Sequence, residues 1–157
     1  MRIGFASDIH RLVKGRPLIL AGVVVPFELG EEAHSDGDVL LHAISEAILG
    51  ALNLGDLGTH FPDNSNETLN MPSTLILKRV NELMSEKGYE IVNIDSSIVL
   101  EKPKIKDYIP LMKNSVAHVL NIDVDKVSIK AGTNEGVDEI GQLKAIKAVA
   151  IVLLKRK

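Results

Sequence analysis

"KAIKAVAIVLLK", residues 144–155, admits two readings. Its alanines and leucines favour a helix, whereas the run of Val and Ile favours a buried strand, and the strand is the reading adopted here. Upstream, "KVSIKA" (126–131) is a further strand, and a Gly-containing loop joins the two. "EIVNIDSSIVL" (90–100) is a strand that Pro103 ends, and Pro110 suits the first turn of a helix running to about Leu120. "PSTLILKRVNELMSEKG" (72–88) predicts another helix, with Ser73 as its cap, Leu75, Leu77, Val80 and Met84 as apolar positions, and Gly88 to stop it. Between Asp38 and about Asn53, Leu41, Ile44, Ile48 and Leu52 recur at helical spacing behind Asp36, read as the N-cap. Gly55, Gly58 and Pro62, with polar residues through Asn70, make a loop. At the start, "MRIGF" alternates as a strand, and "PLIL" and "VVVPF" flank Ala21-Gly22 as a hairpin. The order is then roughly ββ(β)αβαββ. That predicts an α+β, two-layer domain, with a mixed four- to five-stranded sheet and helices on one face.

The 157 residues, 45% hydrophobic and 25% charged, suit a single compact domain spanning 1–157. The absence of cysteine excludes disulfides and thiolate metal sites and fits a reducing cytoplasm, so any metal must take His and carboxylate. The N-terminal "MRIGFASDIHR" lacks the apolar stretch of a signal peptide, and no apolar run approaches the roughly 20 residues of a membrane helix. A soluble, cytoplasmic protein with no membrane partner is expected. Formal charge is −3, with two Tyr and three Phe, so the basic, aromatic platform of a nucleic-acid binder is missing. An anionic small substrate would need its charge met locally, by metal ions, lysines or helix N-termini.

Three clusters carry candidate chemistry. In "SDIHR" (7–11), Asp8 and His10 are two apart, and in a strand such residues point to the same side. They can present an oxygen and a nitrogen to one point, yet two ligands are too few for a tight zinc site. His42 lies four residues after Asp38 and four before Glu46, a polar stripe on an otherwise apolar helix. Turn-forming Asp8, an exposed His10 and a His42 paired with Asp38 would explain the same spacing. "AHSDGD" (33–38) runs into the helix, where free N–H groups favour a phosphate and His34 and Ser35 add donors; an ordinary capping loop is the alternative. "KAGTNEG" (130–136) offers Thr133 as a hydroxyl donor and Glu135 as an oxygen ligand.

Taken in order, "SDIHR", "AHSDGDVLLHA", "LGDLGTHFPD", "EKPKIKDYIPLM" and "KAGTNEG" resemble the motif series of the 2-C-methyl-D-erythritol 2,4-cyclodiphosphate synthases, and the likeness covers most of the chain. The resemblance implies a lyase of non-mevalonate isoprenoid biosynthesis that assembles as a homotrimer with active sites between subunits. Its substrate would be 4-diphosphocytidyl-2-C-methyl-D-erythritol 2-phosphate, and its products the cyclic diphosphate and CMP. By the same resemblance, Asp8, His10 and His42 hold Zn2+, and Glu135 helps to hold a second divalent ion, Mg2+ or Mn2+. His34 and Thr133 would stabilise the transition state, with Ser35 assisting. Asp56, Leu57, Gly58, Phe61, Pro62, Asp63, Asn64 and Ser65 would serve the erythritol side. Leu100, Glu101, Lys102, Pro103, Lys104, Ile105 and Lys106 would form the cytosine pocket, mostly through backbone groups.

The chain departs from the family pattern in places. Its opening "GFAS" stands where Gly-His-Gly-Phe is usual, which leaves the metal ligands intact. Glu139 and Gln142 stand where the family has Phe and Arg, and neutral Gln cannot supply the bidentate cation that the Arg offers to phosphate. Gly132 and Asn134 stand where Thr is common, and Ser65 where Asp is, so substrate contacts are expected to be adjusted. A zinc phosphohydrolase could use the same ligands with a bound water, and a non-catalytic paralogue could bind a nucleotide or isoprenoid phosphate without turnover.

Overall fold

The computed structural model describes residues 1–62 and 69–157. Strand β1 (Arg2–Lys14) opens the chain, followed by β2 (Leu18–Leu20), β3 (Val23–Val25) and β4 (Leu29–Glu32). Helices α1 (Val39–Ala51), α2 (Leu57–His60) and α3 (Ser73–Glu86) come next. Then β5 (Tyr89–Val99), α4 (Ile109–Leu120), β6 (Val127–Gly132), α5 (Asp138–Gly141) and β7 (Ala145–Arg156) complete the order. It is richer than ββ(β)αβαββ by a fourth opening strand, by the 14-residue α3, which the spacing over 72–88 predicts but the string omits, and by the short α2 and α5, which no apolar period marks.

The 144–155 stretch is a strand, and a central one. In the five-stranded mixed sheet β4-β1-β7-β5-β6, β7 lies antiparallel between β1 and β5, and β5 pairs with β6 in parallel. Ile146, Ala148, Ala150, Val152 and Leu154 are fully buried on one face, under the helices. The residues between them, Lys147, Val149, Ile151 and Leu153, point to the other face and are less covered. A strand buried by helices on one side and pinned on both edges satisfies the Val and Ile run; its alanines let α1 come close. Gly4 makes the same allowance on β1, since a Cβ there would sit 1.9 Å from the Ala47 carbonyl oxygen of α1.

Helix α1 packs on β1 and β7, α3 on α1 and β5, and α4 on β6, so the helical layer lies on one side of the sheet as the sequence predicted. β2 and β3 form a separate hairpin through Ala21 and Gly22, also as predicted. The opposite face of the large sheet displays Ile3, Phe5, Ile9 and Ile151, which remain 71%, 66%, 56% and 41% exposed.

Helix caps required correction. α1 begins behind Asp38, not Asp36: the Asp38 carboxylate accepts from the N–H of Leu41 at 3.1 Å and from those of Ala21 and Gly22 at 3.0 and 2.7 Å. It therefore ties the helix start to the β2–β3 turn. Ser73 is the first residue of α3 and does not cap it; its N–H donates to Asp36 Oδ2 at 2.9 Å and its hydroxyl donates to Asp36 as well. Asp36 thus serves the helix that follows 37 residues later. The loop after Gly55 contains the single turn α2, capped by Asp56, whose Oδ1 accepts from Thr59 N–H at 2.8 Å. An Asp placed to cap outweighs Gly58 inside that turn.

Candidate functional site

Strand parity and helix spacing bring the first cluster together. Asp8 and His10 both point to the helix-covered side of β1, and His42 descends on them from the first turns of α1. Each of the three offers a ligand atom within 4.8 Å of the others, the one such His and carboxylate group among the described residues. His10 Nε2 lies 3.0 Å and His42 Nδ1 3.2 Å from the same oxygen, Asp8 Oδ2. The imidazole rings meet edge to face at 5.1 Å.

The far nitrogen of each ring is already engaged. His10 Nδ1 donates to the Gly37 carbonyl at 2.6 Å. His42 Nε2 lies 2.9 Å from the hydroxyl of Ser73 and 3.1 Å from that of Ser35; Ser73 itself donates to Asp36, so its oxygen accepts from His42. With these N–H groups committed, two ring lone pairs and a carboxylate oxygen converge, an arrangement that calls for a cation among them. In the metal-free chain a proton on His10 lies toward that place. Burial opposes protonation of His10, but its contacts with Asp8 and Glu31 raise it to about 10. Burial likewise opposes ionisation of Asp8, yet both imidazoles hold it well below the usual carboxylate range. The donor set of two nitrogens and one oxygen, with an open side, fits a divalent ion of borderline softness.

That open side faces a cleft of about 520 Å³ lined by Asp8, His10, His34, Ser35, His42, Asp56, Leu57, Gly58 and Phe61, among others. Nine residues singled out from the sequence therefore share one cavity. Its walls are set by long-range ties: Arg16 donates to the carbonyls of Ala33 and Ser35 at 3.0 and 2.7 Å, and Glu46 accepts from Leu57 N–H at 2.8 Å. The sequence read Asp36 and Ser73 as helix caps and Glu46 as the last member of the polar stripe on α1, but gave none of them, nor Arg16, a part in the site. His42 pairs with Asp8 rather than with Asp38, which disposes of that alternative.

Other candidates lie elsewhere. Thr133 and Glu135 follow β6 and are not among the residues lining the cleft. They form a second cluster with the β5–α4 segment: Leu100 N–H donates to the Gly132 carbonyl at 3.0 Å, Asn134 N–H to Glu101 at 3.3 Å, and the Thr133 hydroxyl to Glu135 at 3.1 Å. Lys102, Pro103, Lys104, Ile105 and Lys106 run beside it, before α4. Glu139 pairs with Lys144 at 3.1 Å, and Gln142 closes α5. Asp63, Asn64 and Ser65 lie outside the described residues.

Residues 1–155 match the family model described as the YgbB family. The 2-C-methyl-D-erythritol 2,4-cyclodiphosphate synthase of Fusobacterium nucleatum is 47% identical over 157 residues, covering 100% of this chain and 98% of that protein. The chain belongs to the 2-C-methyl-D-erythritol 2,4-cyclodiphosphate synthase family. Its relative from Chloroherpeton thalassium is 48% identical over 99% of both chains. Among solved structures, the bifunctional IspDF of Campylobacter jejuni superposes with a TM-score of 0.96 at 38% identity, covering 99% of this chain and 42% of that one. The IspF–CDP complex of Plasmodium falciparum superposes at 0.87 with 36% identity, over 99% of this chain and 96% of that one. No helix among the described residues is long and apolar enough to cross a membrane.

Proposed function

We propose that the protein converts 4-diphosphocytidyl-2-C-methyl-D-erythritol 2-phosphate to 2-C-methyl-D-erythritol 2,4-cyclodiphosphate and CMP. The 2-phosphate oxygen attacks the β-phosphorus, a new P–O–P link closes the ring, the bond between β-phosphorus and the bridging oxygen breaks, and CMP leaves with that oxygen. The observation that carries this reading is the convergence of Asp8, His10 and His42 on one point beside His34 and Ser35 in a chain of this family. Asp8, His10 and His42 would hold Zn2+, and Glu135 a second ion, Mg2+ or Mn2+. Bound there, such ions neutralise phosphate oxygens and polarise phosphorus.

The nucleophile is already an anion, so repulsion between charges, rather than proton transfer, is the obstacle. His34 and Thr133 are assigned to donate hydrogen bonds to the oxygens where charge builds, and Ser35 assists from the start of α1. Asp56, Leu57, Gly58 and Phe61 line the same cleft and suit the erythritol moiety; Pro62 lies just beyond Phe61, and Asp63, Asn64 and Ser65 belong to the same assignment. Leu100, Glu101, Lys102, Pro103, Lys104, Ile105 and Lys106, with Gly132 and Asn134, would hold the cytidylyl part. The relative from Plasmodium falciparum is a CDP complex, which supports that chemistry.

The two clusters are read as halves of one site completed by a neighbouring chain. Cross-strand register sets Asp8 level with Ala148, Ile98 and Ala131, so both clusters sit toward one end of the sheet, on strands three places apart. The apolar, uncovered face bearing Ile3, Phe5 and Ile9 supports a homotrimer packed sheet to sheet.

Metal analysis and phosphorus NMR on one sample test the proposal. One zinc per chain, release of CMP and a cyclic diphosphate are expected. Phosphate monoesters alone would instead make the protein a zinc phosphohydrolase, and nucleotide binding without turnover under saturating metal would make it a non-catalytic paralogue.

A further inference from the structure

Glu31 enters the site described above only as a contact of His10, and it is fully buried near the end of β4. Its Oε2 accepts from the N–H of Val39, the first residue of α1, at 3.1 Å. The same oxygen lies 3.8 Å from His10 Nδ1, on the side of the ring away from Asp8. Oε1 is buried with no hydrogen-bond partner among the described residues. Gly37, whose carbonyl accepts from His10 Nδ1 at 2.6 Å, packs so tightly on Glu31 that a Cβ there would fall 2.8 Å from the glutamate Cβ. One side chain thus touches the ring of His10, the loop that orients that ring and the start of the helix that carries His42.

A carboxyl group with an unpartnered buried oxygen destabilises a fold, and an apolar residue would fill the same space without that penalty. Something must offset it. We propose that Glu31 is a positioning residue of the metal centre: its carboxylate lies behind His10, helps to fix the imidazole with Nδ1–H turned outward, away from the ligand cluster, and strengthens the hold of Nε2 on a cation. The inference rests on the reading of Asp8, His10 and His42 as metal ligands. A carboxylate on the outer edge of a ligating imidazole sets its tautomer and raises its basicity, and a divalent ion on the inner edge balances the buried charge.

Glu31→Gln keeps the volume and the acceptor for Val39 while removing the carboxylate, and Glu31→Leu removes every polar atom. Zinc affinity of the full chain, measured by competition with a chromophoric chelator, should fall roughly 10- to 100-fold in both variants. The visible spectrum of the cobalt-loaded protein should shift, and the metal-free melting temperature of Glu31→Gln should stay at or above that of the unaltered chain. Equal zinc affinity in Glu31→Gln and the unaltered chain overturns the proposal. So does a loss of affinity matched by a lower metal-free melting temperature in Glu31→Gln, because Glu31 would then be a structural support alone. Failure of the unaltered chain to bind zinc overturns the ligand reading beneath it instead.

Discussion

Asp38 shows how a single residue joins elements that are distant in sequence. Its two oxygens accept three backbone N–H groups, from Ala21, Gly22 and Leu41, and the side chain is completely buried. Asp38→Ala strands all three donors at once, so metal-free stability measured by denaturant titration should drop by about 3 kcal/mol. Asp38→Asn retains an oxygen for Ala21 and Leu41 but turns an NH2 toward the Gly22 N–H, so its loss should be smaller, about 2 kcal/mol. A similar loss for both would show that the tie to Gly22, which both variants lose, carries the effect and that the cap on Leu41 adds little. At this scale the sequence was half legible. The i, i+2 placement of Asp8 and His10 follows from strand parity, and their meeting was foreseeable once β1 was read as a strand. The division of labour between Asp36 and Asp38 was not: both precede the helix, and only the positions of Ser73 and the Ala21-Gly22 turn, fixed by tertiary packing, decide which one caps.

Elements were more legible than their junctions. Residues 144–155 mixed helix-favouring and strand-favouring types, and local preference alone could not choose; pairing with β1 and β5 on both edges makes the choice. The price of the alanines is a close approach that leaves little tolerance at the facing glycine. A methyl group on Gly4 would stand 1.9 Å from the Ala47 carbonyl oxygen and 2.9 Å from Ala51 Cβ, so α1 would have to lift from the sheet. Gly4→Ala should therefore destabilise the protein by about 3 kcal/mol in thermal or denaturant unfolding. It should also weaken zinc binding, because His42 rides on the displaced helix while Asp8 and His10 stay with β1. Unchanged zinc affinity in a folded Gly4→Ala variant would mean that the first turns of α1 move independently of its last.

For the whole molecule, the sheet order explains what no spacing in the chain reveals. Asp8, His10 and His42 gather on β1 and α1, whereas Thr133 and Glu135 follow β6, three strands away and so separated by roughly 14 Å of sheet. The sequence placed all of them in one reaction through family resemblance, but a single chain keeps them in two clusters. If neighbouring chains complete each site, two inactive variants should repair one another. His42→Ala damages the first cluster and Glu135→Ala the second, and a site formed between chains is intact whenever each half comes from the variant that spares it. With subunits exchanged at equal amounts by unfolding and refolding together, about one quarter of the sites should be whole, and activity should recover to about that fraction of the unaltered protein's. Phe5→Glu, which buries a charge in the proposed sheet-to-sheet contact, should abolish the recovery and reduce the sedimentation coefficient to that of a monomer. If each chain carries a complete site, the mixture stays as inactive as its parts, and Phe5→Glu leaves turnover unchanged.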